Sequence, residues 1–120
     1  MDEDDIPEGT TVIGAAQGQD HTPQPYLFRL KTGEHIAVNK DVFRIGKERS
    51  YVDYCVRDNP TVSKSHAYIV KRQGECFLVD TNSTNHTFVN SMMLRSNTEN
   101  KLKHGDEIVF ANEKFEFKML

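Results

Sequence analysis

Short runs of alternating apolar and polar residues fill most of the chain from residue 26 onward. A period of two is typical of β-strands with one face in a core, and no stretch shows the 3.6-residue period of an amphipathic helix. About eleven strand segments are predicted on this basis. In chain order they are 26–31, 35–38, 42–45, 54–56, 66–72, 76–80, 87–90, 92–95, 101–102, 107–111 and 114–120.

Turn signals recur roughly every 8–12 residues between these segments, and they indicate the fold class. Residues 73–75, Gln-Gly-Glu, predict a tight hairpin between two strands, and residues 112–113 predict another. Many short strands at regular spacing predict an all-β protein, an eleven-strand antiparallel β-sandwich. Along the first strand, Tyr26, Phe28 and Leu30 share one face.

Polar residues are concentrated in four of the connections between strands. These connections are 46–53, 57–66, 81–86 and 96–101. In a sandwich, functional residues lie on loops that a rigid scaffold holds in place. We therefore expect the functional residues of this chain in these loops, at one end of the sandwich.

The distribution of charge divides the chain into two unequal parts. Residues 1–25 carry six acidic residues and no Lys or Arg, whereas residues 26–120 carry 15 basic and 12 acidic residues, so the net charges are −6 and +3. The first part is also rich in Gly, Pro and polar residues, as linkers are. The sequence predicts a flexible acidic N-terminal segment or linker at 1–25, followed by one domain at 26–120.

Composition argues against several classes of protein. A domain with a net charge of +3 lacks the basic stripe of a nonspecific nucleic-acid binder, and no apolar run reaches the ~18–20 residues that span a bilayer. The acidic start differs from a signal or transit peptide, so we expect a cytoplasmic protein without membrane insertion. Cys55 and Cys76 lie in apolar stretches and are expected as reduced thiols, although a disulfide remains an alternative.

The stretch PTVSKSHAYIV, residues 60–70, combines two hydroxyls, an ammonium and an imidazole just before a strand. Ser63 and His66 are too close along the strand entry for an ordinary nucleophile–base pair, and there is no Gly-x-Ser-x-Gly elbow. The five histidines are scattered without the spacing of a metal site. We therefore expect no catalytic residues, no metal, no cofactor and no enzymatic activity.

Anion binding fits the same residues better than catalysis does. Hydroxyls, backbone N–H groups and Lys or Arg side chains are the groups that bind phosphate in proteins. Ser63 and Lys64 supply them here, a second loop adds Lys47 and Arg49, and the segment 80–90 adds further Asn, Ser and Thr residues. The alternative is that all of these are polar turn residues without a ligand, and composition alone does not decide between the two.

Four motifs follow one another in the chain: FRIGK, VSKSH, LVDTNSTNHTFVN and LKHGDEIVF. In this order and spacing they resemble the forkhead-associated (FHA) domain family, over about residues 26–120. The resemblance implies an FHA/SMAD-like β-sandwich of eleven strands that binds phosphothreonine peptides through loops at one end and has no catalytic role. It also implies a partner in signalling, a phosphothreonine-containing protein that is the substrate of a Ser/Thr protein kinase.

The resemblance assigns roles to individual residues. Those assigned to phosphopeptide binding are Lys47, Ser63, Lys64, Thr84 and Asn85, with Arg49 beside them. Those assigned to structural support of the site are Gly46, His66, Asp80, Ser83, His86 and Thr87.

Three positions depart from the family pattern. Lys47 stands where the family has Arg, and it keeps the charge but loses the planar fork that grips phosphate, a loss that Arg49 is placed to offset. His86 replaces Gly and is strained if the backbone φ there is positive, and Ser91 replaces another Gly at a turn. These departures leave an alternative open: an FHA-fold scaffold that mediates protein–protein contact with weak or no phosphate dependence.

The N-terminal segment places acidic residues before Thr10 and Thr11. One hypothesis is that either threonine is phosphorylated by an acid-directed kinase and then bound by an FHA domain, its own or that of a neighbour. A tether of about 15 residues would give an effective concentration on the millimolar scale. The alternative is that the segment is only a solvated linker.

Overall fold

The computed structural model of the protein describes residues 24–119. These residues form eleven β-strands and one 3₁₀ turn, Arg49–Tyr51, and the described range contains no longer helix. The strands are β1 (Pro25–Arg29), β2 (His35–Ala37), β3 (Val42–Gly46), β4 (Tyr54–Cys55), β5 (Ala67–Arg72), β6 (Glu75–Asp80), β7 (Thr87–Val89), β8 (Met92–Met93), β9 (Asn100–Lys101), β10 (Glu107–Phe110) and β11 (Glu113–Met119). Each strand overlaps one of the predicted segments, so the predicted number of strands is confirmed.

The strands form two sheets. One has six strands in the order β2-β1-β11-β10-β7-β8, and the other has five in the order β4-β3-β5-β6-β9. Neighbouring strands run antiparallel, except that β3 and β4 are parallel. The all-β sandwich expected from the sequence is confirmed, and the parallel pair is a detail that the alternation pattern does not contain.

The hydrophobic core lies between the sheets and contains apolar side chains from both. Those with no exposed surface include Ile45, Ile69, Leu78, Ile108, Phe110, Phe115 and Phe117. Strand β1 contributes Leu27 to this core, and the face that Tyr26, Phe28 and Leu30 share is the outer one. On the inner face of β1, a charged residue, Arg29, follows Leu27 and is also buried.

Every sheet edge is formed by a very short strand. The six-stranded sheet ends in β2 and β8, and the five-stranded sheet ends in β4 and β9. Of these four, β2 has three residues and the others have two each. Strand β8 also carries two exposed apolar side chains, Met92 and Met93.

Two-residue turns close three hairpins of the described residues, β5–β6, β7–β8 and β10–β11, whereas five residues connect β1 to β2. Strands β5 and β6 are joined by Gln73 and Gly74, with φ of 51° and 77°, and positive φ at both positions is typical of the type I′ turn that suits the twist of a hairpin. The predicted hairpin at 73–75 is therefore present, with Glu75 already in β6. The turn predicted at 112–113 is also present but begins one residue earlier. It comprises Ala111 and Asn112, and β11 begins at Glu113.

The turn between β7 and β8 provides a test of backbone strain. Asn90 and Ser91 there have φ of 50° and 71°, and a residue with a Cβ is strained in this region. We expect Ser91→Gly to raise the free energy of unfolding by about 0.5–1 kcal/mol. Urea unfolding measures the change, and Ser65→Gly, at a position without positive φ, should lower stability instead. A loss of stability in Ser91→Gly would contradict the expectation.

Several sequence-based predictions lie outside the described residues. They concern the linker at 1–25, of which residues 1–23 are not described, and the phosphorylation of Thr10 and Thr11. Within residues 24–119, the structure has no helix with the length and apolar character needed to cross a membrane. Cys55 and Cys76 are both free thiols; Cys76 is buried and Cys55 is half-buried.

Candidate functional site

The end of β3 and the loop before β5 lie against each other. The backbone N–H of Lys47 donates to the carbonyl of Ser63 (2.9 Å), and that of Glu48 donates to the carbonyl of Lys64 (3.1 Å). A Cβ at Gly46 would lie 2.2 Å from the carbonyl oxygen of Lys64, which no folded protein accommodates without a shift. Because Gly46 lacks a side chain, the two loops form one continuous wall.

The loop after β6 approaches this wall at Ser63. The backbone N–H of Thr84 donates to the Ser63 hydroxyl oxygen (3.1 Å). This bond uses one lone pair of the hydroxyl and leaves its proton available to a ligand. The backbone N–H groups of Lys64 and Asn85 make no hydrogen bond with other described residues. The meeting point of the loops therefore presents a hydroxyl and two backbone amides as free donors.

His66 connects the same two loops from below. Its Nδ1 accepts from the backbone N–H of Ser63 (3.0 Å), so its Nε2 carries the proton and donates to the carbonyl of His86 (2.9 Å). The ring has no exposed surface and packs edge-on against Phe110. Burial lowers the pKa of His66 below its ordinary value. The structure thus places His66 as a neutral, fully buried brace between the loops.

The lowered pKa of His66 predicts a dependence of stability on pH. A group with a depressed folded-state pKa contributes stability that is present above its unfolded value, about 6.5, and lost as the pH falls through the folded value. We expect the free energy of unfolding to fall by up to about 1.4 kcal/mol per pH unit below about pH 6.5 from this residue. Urea unfolding between about pH 7.5 and 5.5 measures it. A His66→Gln variant should lose this part of the slope, and the same slope in both proteins would refute the assignment.

Asp80 organises the loop that carries Thr84. This buried carboxylate, at the end of β6, accepts hydrogen bonds from the backbone N–H and hydroxyl of Ser83, from the Thr87 hydroxyl (2.7 Å) and from the Ser96 hydroxyl (3.0 Å). Burial raises its pKa, but these hydrogen bonds outweigh burial and hold the pKa of Asp80 below its usual value. The charged form of Asp80 therefore fixes the shape of the loop.

Asn85 ties the two loops together at the surface. Its side-chain Nδ2 donates to the backbone carbonyl of Thr61 (2.9 Å), and its Oδ1 makes no hydrogen bond with the described residues. The neighbouring Thr84 side chain is exposed and likewise makes no such bond. Both side chains therefore keep hydrogen-bonding capacity for a ligand.

His86 adopts the left-handed backbone conformation in which the family pattern has Gly. Its φ is 69°, so the strain that was conditional on a positive φ is present. The conformation lets one carbonyl accept two hydrogen bonds, from His66 Nε2 and from the backbone N–H of Ala111 (2.9 Å). The strained backbone of His86 thus occurs where its carbonyl accepts the hydrogen bond by which His66 connects the two loops.

Two ammonium groups belong to the residues around Ser63. The Lys47 side chain is partly buried, and its Nζ lies 3.4 Å from the carbonyl oxygen of Pro60. The Lys64 side chain is exposed and makes no hydrogen bond or ion pair with the described residues. The structure thus brings the predicted residues Lys47, Ser63, Lys64, Thr84 and Asn85 into one cluster.

Arg49, the sixth predicted binding residue, has no hydrogen bond that links it to this cluster. It is on the 3₁₀ turn and lines a depression of about 560 Å³ together with Arg57 and Tyr54. No hydrogen bond or ion pair connects its side chain to the described residues. Its proposed compensation for Lys47 therefore depends on a ligand that also contacts this depression.

A buried ionic group beneath the site was missed by the sequence reasoning. Arg29 Nε donates to Glu113 Oε2 (2.7 Å), and both side chains are almost fully buried. Asn59 Nδ2 donates to the other oxygen of Glu113 (2.8 Å), and Asn59 Oδ1 accepts from the backbone N–H of Thr61 (3.0 Å). The sequence contained one signal of this buried pair. Arg29 takes an inward position in the alternation of β1, and a buried charge requires a partner.

The outer side of Arg29 extends this ionic group to the surface. Arg29 Nη2 donates to Asp58 Oδ1 (2.7 Å) and holds the pKa of Asp58 at about 2. Burial and a hydrogen bond to Glu34 (2.6 Å) raise the pKa of Tyr54 to about 12. The guanidinium of Arg29 and the carboxylates of Asp58 and Glu34 therefore stay charged at neutral pH, and the Tyr54 hydroxyl stays protonated.

The chemistry of the cluster is that of anion binding. The Ser63 hydroxyl has no general base beside it among the described residues, because His66 Nδ1 accepts from the backbone N–H and not from the hydroxyl. Residues 24–119 also contain no group of three His, Cys, Asp or Glu side chains that would hold a metal ion. Hydroxyl and amide donors next to two lysines suit a phosphate group.

Comparison with known proteins agrees with this geometry. The sequence model of the FHA domain matches residues 43–111. EmbR of Mycobacterium tuberculosis, solved in complex with a low-affinity phosphopeptide, is 27% identical with a TM-score of 0.74. The aligned region covers 80% of this chain and 24% of EmbR, so this chain spans about a quarter of the length of that protein. No curated protein sequence matches the chain.

Two more distant structures share the fold. An FHA domain of Chlamydia trachomatis is 15% identical with a TM-score of 0.71, and the alignment covers 79% of this chain and 96% of that one. The MEK1 FHA domain, in complex with a phosphothreonine peptide of HOP1, is 20% identical with a TM-score of 0.68, and the alignment covers 79% and 95% of the two chains. At these identities the likeness concerns the fold alone.

Proposed function

The chain belongs to the FHA domain family, and from this premise we propose that it is a phosphothreonine-dependent protein–protein interaction module. It binds a phosphorylated peptide or protein, the substrate of a Ser/Thr protein kinase, in cytoplasmic signalling. It has no enzymatic role, binds no nucleic acid and does not insert into a membrane. The observation that carries the proposal is the Ser63 hydroxyl, which the Thr84 backbone N–H fixes in place and which keeps its proton for a phosphate oxygen.

The residues around Ser63 supply the remaining interactions with the phosphate. Lys47 and Lys64 neutralise its charge, and the free backbone N–H of Lys64 and the exposed Thr84 side chain are further donors. Asn85 binds the peptide backbone beside it. A hydrogen bond to a charged group contributes about 1.5–3 kcal/mol, so two or three of them, less the cost of association, are compatible with micromolar affinity, about −8 kcal/mol.

Relatives support the same proposal. EmbR, 27% identical, binds a phosphopeptide, and the MEK1 FHA domain, which shares the fold, binds a phosphothreonine peptide. In this chain the proposed binding residues are Lys47, Arg49, Ser63, Lys64, Thr84 and Asn85. The proposed domain that carries them is 26–120, with 1–25 as its acidic linker.

Ser63→Ala is the direct test. It removes the donor to the phosphate, and we expect affinity for phosphothreonine peptides to fall by at least ~10-fold, the loss of about 1.5 kcal/mol or more. Fluorescence anisotropy with degenerate phosphothreonine, phosphoserine and unmodified libraries measures it. Ser65→Ala is the matched control, since that side chain makes no hydrogen bond with the described residues. Equal binding by wild type and Ser63→Ala would overturn the proposal.

The finer proposal concerns the chain's own N-terminal segment. Once phosphorylated, Thr10 or Thr11 would occupy the site of the same chain or of a neighbour. Residues 12–24 reach at most about 45 Å when extended, and tethering gives an effective concentration on the millimolar scale. A chain phosphorylated at these positions should bind external phosphopeptides more weakly than the Thr10→Ala/Thr11→Ala variant. Equal binding by both would exclude self-occlusion.

A second candidate function is a scaffold contact with weak or no phosphate dependence. The observation in its favour is the exposure of Met92 (73%) and Met93 (59%) on the edge strand β8. Apolar side chains at such exposure are suited to contact with another protein. Partner binding that persists in Ser63→Ala and with unmodified peptides would favour this function over the first.

A further inference from the structure

A continuous series of buried polar side chains leads from the interior of the sandwich to the phosphate-binding loops. It begins with Arg29 on β1 and Glu113 at the start of β11, 2.7 Å apart, each with about 5% or less of its side chain exposed. Two charges are expensive to remove from water, and well-packed apolar residues are often at least as stable in their place. The position of the pair, beneath the loop 57–66, suggests a role beyond stability.

Asn59 is the junction between this pair and the loop. It is 8% exposed, and its Nδ2 donates to Glu113 Oε1 (2.8 Å) and to Asn112 Oδ1 (2.7 Å). Its Oδ1 accepts from the backbone N–H (3.0 Å) and from the hydroxyl (2.6 Å) of Thr61. An amide side chain has two donor hydrogens and two acceptor lone pairs. All four are used, so both the position and the rotation of Asn59 are fixed.

Thr61 transmits this fixed position to the site. Its backbone carbonyl accepts from Asn85 Nδ2 (2.9 Å). Two residues further along, Ser63 accepts from the backbone N–H of Thr84. The two loops that enclose the proposed phosphate position therefore meet near the surface at these two hydrogen bonds, above the one that His66 makes with His86. One of the two begins at the residue that Asn59 holds.

Val62 is the apolar anchor of the loop 57–66, but its packing alone does not fix the rotation of the loop. Val62 is 1% exposed and packs into the core, and its backbone N–H donates to the carbonyl of Asn59 (3.2 Å). A single apolar side chain fixes how deeply a loop is set but leaves its rotation free, because dispersion contacts have no direction. Hydrogen bonds have direction. Those of Asn59 fix the rotation of the loop at Thr61, while Lys47 and His66 hold the backbone of Ser63 two residues further along.

We propose that Asn59 is a positioning residue for the phosphothreonine site: it touches no ligand and acts by fixing Thr61, and through it Asn85 and Ser63, relative to the buried Arg29–Glu113 pair. This inference rests on the proposed function. If so, affinity for the phosphopeptide depends on a residue that no binding motif contains. It depends on where Asn59 holds the loop, and not only on the overall stability of the domain.

The test compares Asn59→Ala with core variants that lose stability without touching the loop. Ile69→Val removes one buried methyl group and Leu102→Ala removes several, so the two should bracket the stability of Asn59→Ala. The wild type and the three variants, each with residues 1–120, are titrated with the degenerate phosphothreonine library, at a temperature where urea curves show each to be folded. We expect Asn59→Ala to lose affinity about 10-fold or more, and both core variants to bind as the wild type does.

A second measurement reads the geometry without a ligand. In ¹H–¹⁵N spectra of the unbound proteins, the amide signals of Ser63, Thr84 and Asn85 should move in Asn59→Ala and stay in place in Leu102→Ala. Wild-type affinity in Asn59→Ala, or an equal loss of affinity in Leu102→Ala, would overturn the positioning role. If the wild type binds no phosphothreonine peptide, the proposed function fails. If the wild type binds and Asn59→Ala binds equally well, only this inference fails.

Discussion

Replacing Arg29 by Met is expected to lower the free energy of unfolding by about 3–5 kcal/mol, because it leaves the carboxylate of Glu113 buried without its partner. The two side chains are 5% and 4% exposed, so water does not reach the carboxylate to replace the guanidinium. Burial raises the pKa of Glu113, while the hydrogen bonds from Arg29 and Asn59 lower it further than burial raises it. Without Arg29 that balance reverses, and Glu113 must bind a proton or remain an unpaired buried charge. Urea or thermal unfolding measures the loss.

Two controls separate the buried ion pair from the loss of a surface charge. Arg72→Met breaks an exposed pair with Glu99 and should change the free energy of unfolding far less, because water screens exposed ion pairs. The double variant Arg29→Met/Glu113→Gln removes both buried charges and should regain a large part of the lost stability. If Arg29→Met is no less stable than Arg72→Met, the pair does not have the energetic role that its burial implies.

Gly46→Ala is expected to disable the proposed binding site. The new Cβ would lie 2.2 Å from the carbonyl oxygen and 2.8 Å from the carbonyl carbon of Lys64, and backbone atoms cannot rotate away as a side chain can. The loop must move by about 1 Å to restore an ordinary contact, at a cost of about 1–3 kcal/mol in stability. Ser63 and Lys47 would then both leave the positions proposed for binding phosphate. Since each hydrogen bond to it contributes about 1.5–3 kcal/mol, affinity should fall 100-fold or more.

Gly33→Ala serves as the control for the loss of a glycine. Gly33 has a φ of 76° and nothing within 4 Å of the added Cβ, so the change strains the backbone without displacing a neighbour. We expect reduced stability and unchanged affinity for phosphothreonine peptides in that variant. Amide signals of Ser63 and Lys64 should shift in Gly46→Ala alone. Wild-type affinity in Gly46→Ala would show that the close approach at this glycine is not needed for binding.

The strands were predictable from the sequence because each has one face in the core, and burial of one face imposes alternation. Their pairing is not encoded in that pattern. The parallel arrangement of β3 and β4 follows from the path of the chain through the 3₁₀ turn at Arg49–Tyr51. The inward position of Arg29 becomes intelligible only with Glu113, which lies 84 residues away in sequence. Contacts of this range cannot be read from local periodicity.

The candidate site was predictable to a similar degree. The motifs place Lys47, Ser63, Lys64, Thr84 and Asn85, and the structure brings these five together. Spacing along the chain did not show that Arg49 lacks the hydrogen bonds that connect the others, since those bonds form only in the folded loops. Neither did it identify Asn59, which contributes through partners that are distant in sequence.

The four short edge strands have a consequence for the way this domain tolerates neighbours. A sheet of another molecule can join only along unpaired backbone groups, and long regular edges are templates for aggregation. Here no edge strand of residues 24–119 offers more than three residues, fewer than the six or seven typical of an amyloid segment. Many copies of the domain can therefore be held at high local concentration without their sheets merging.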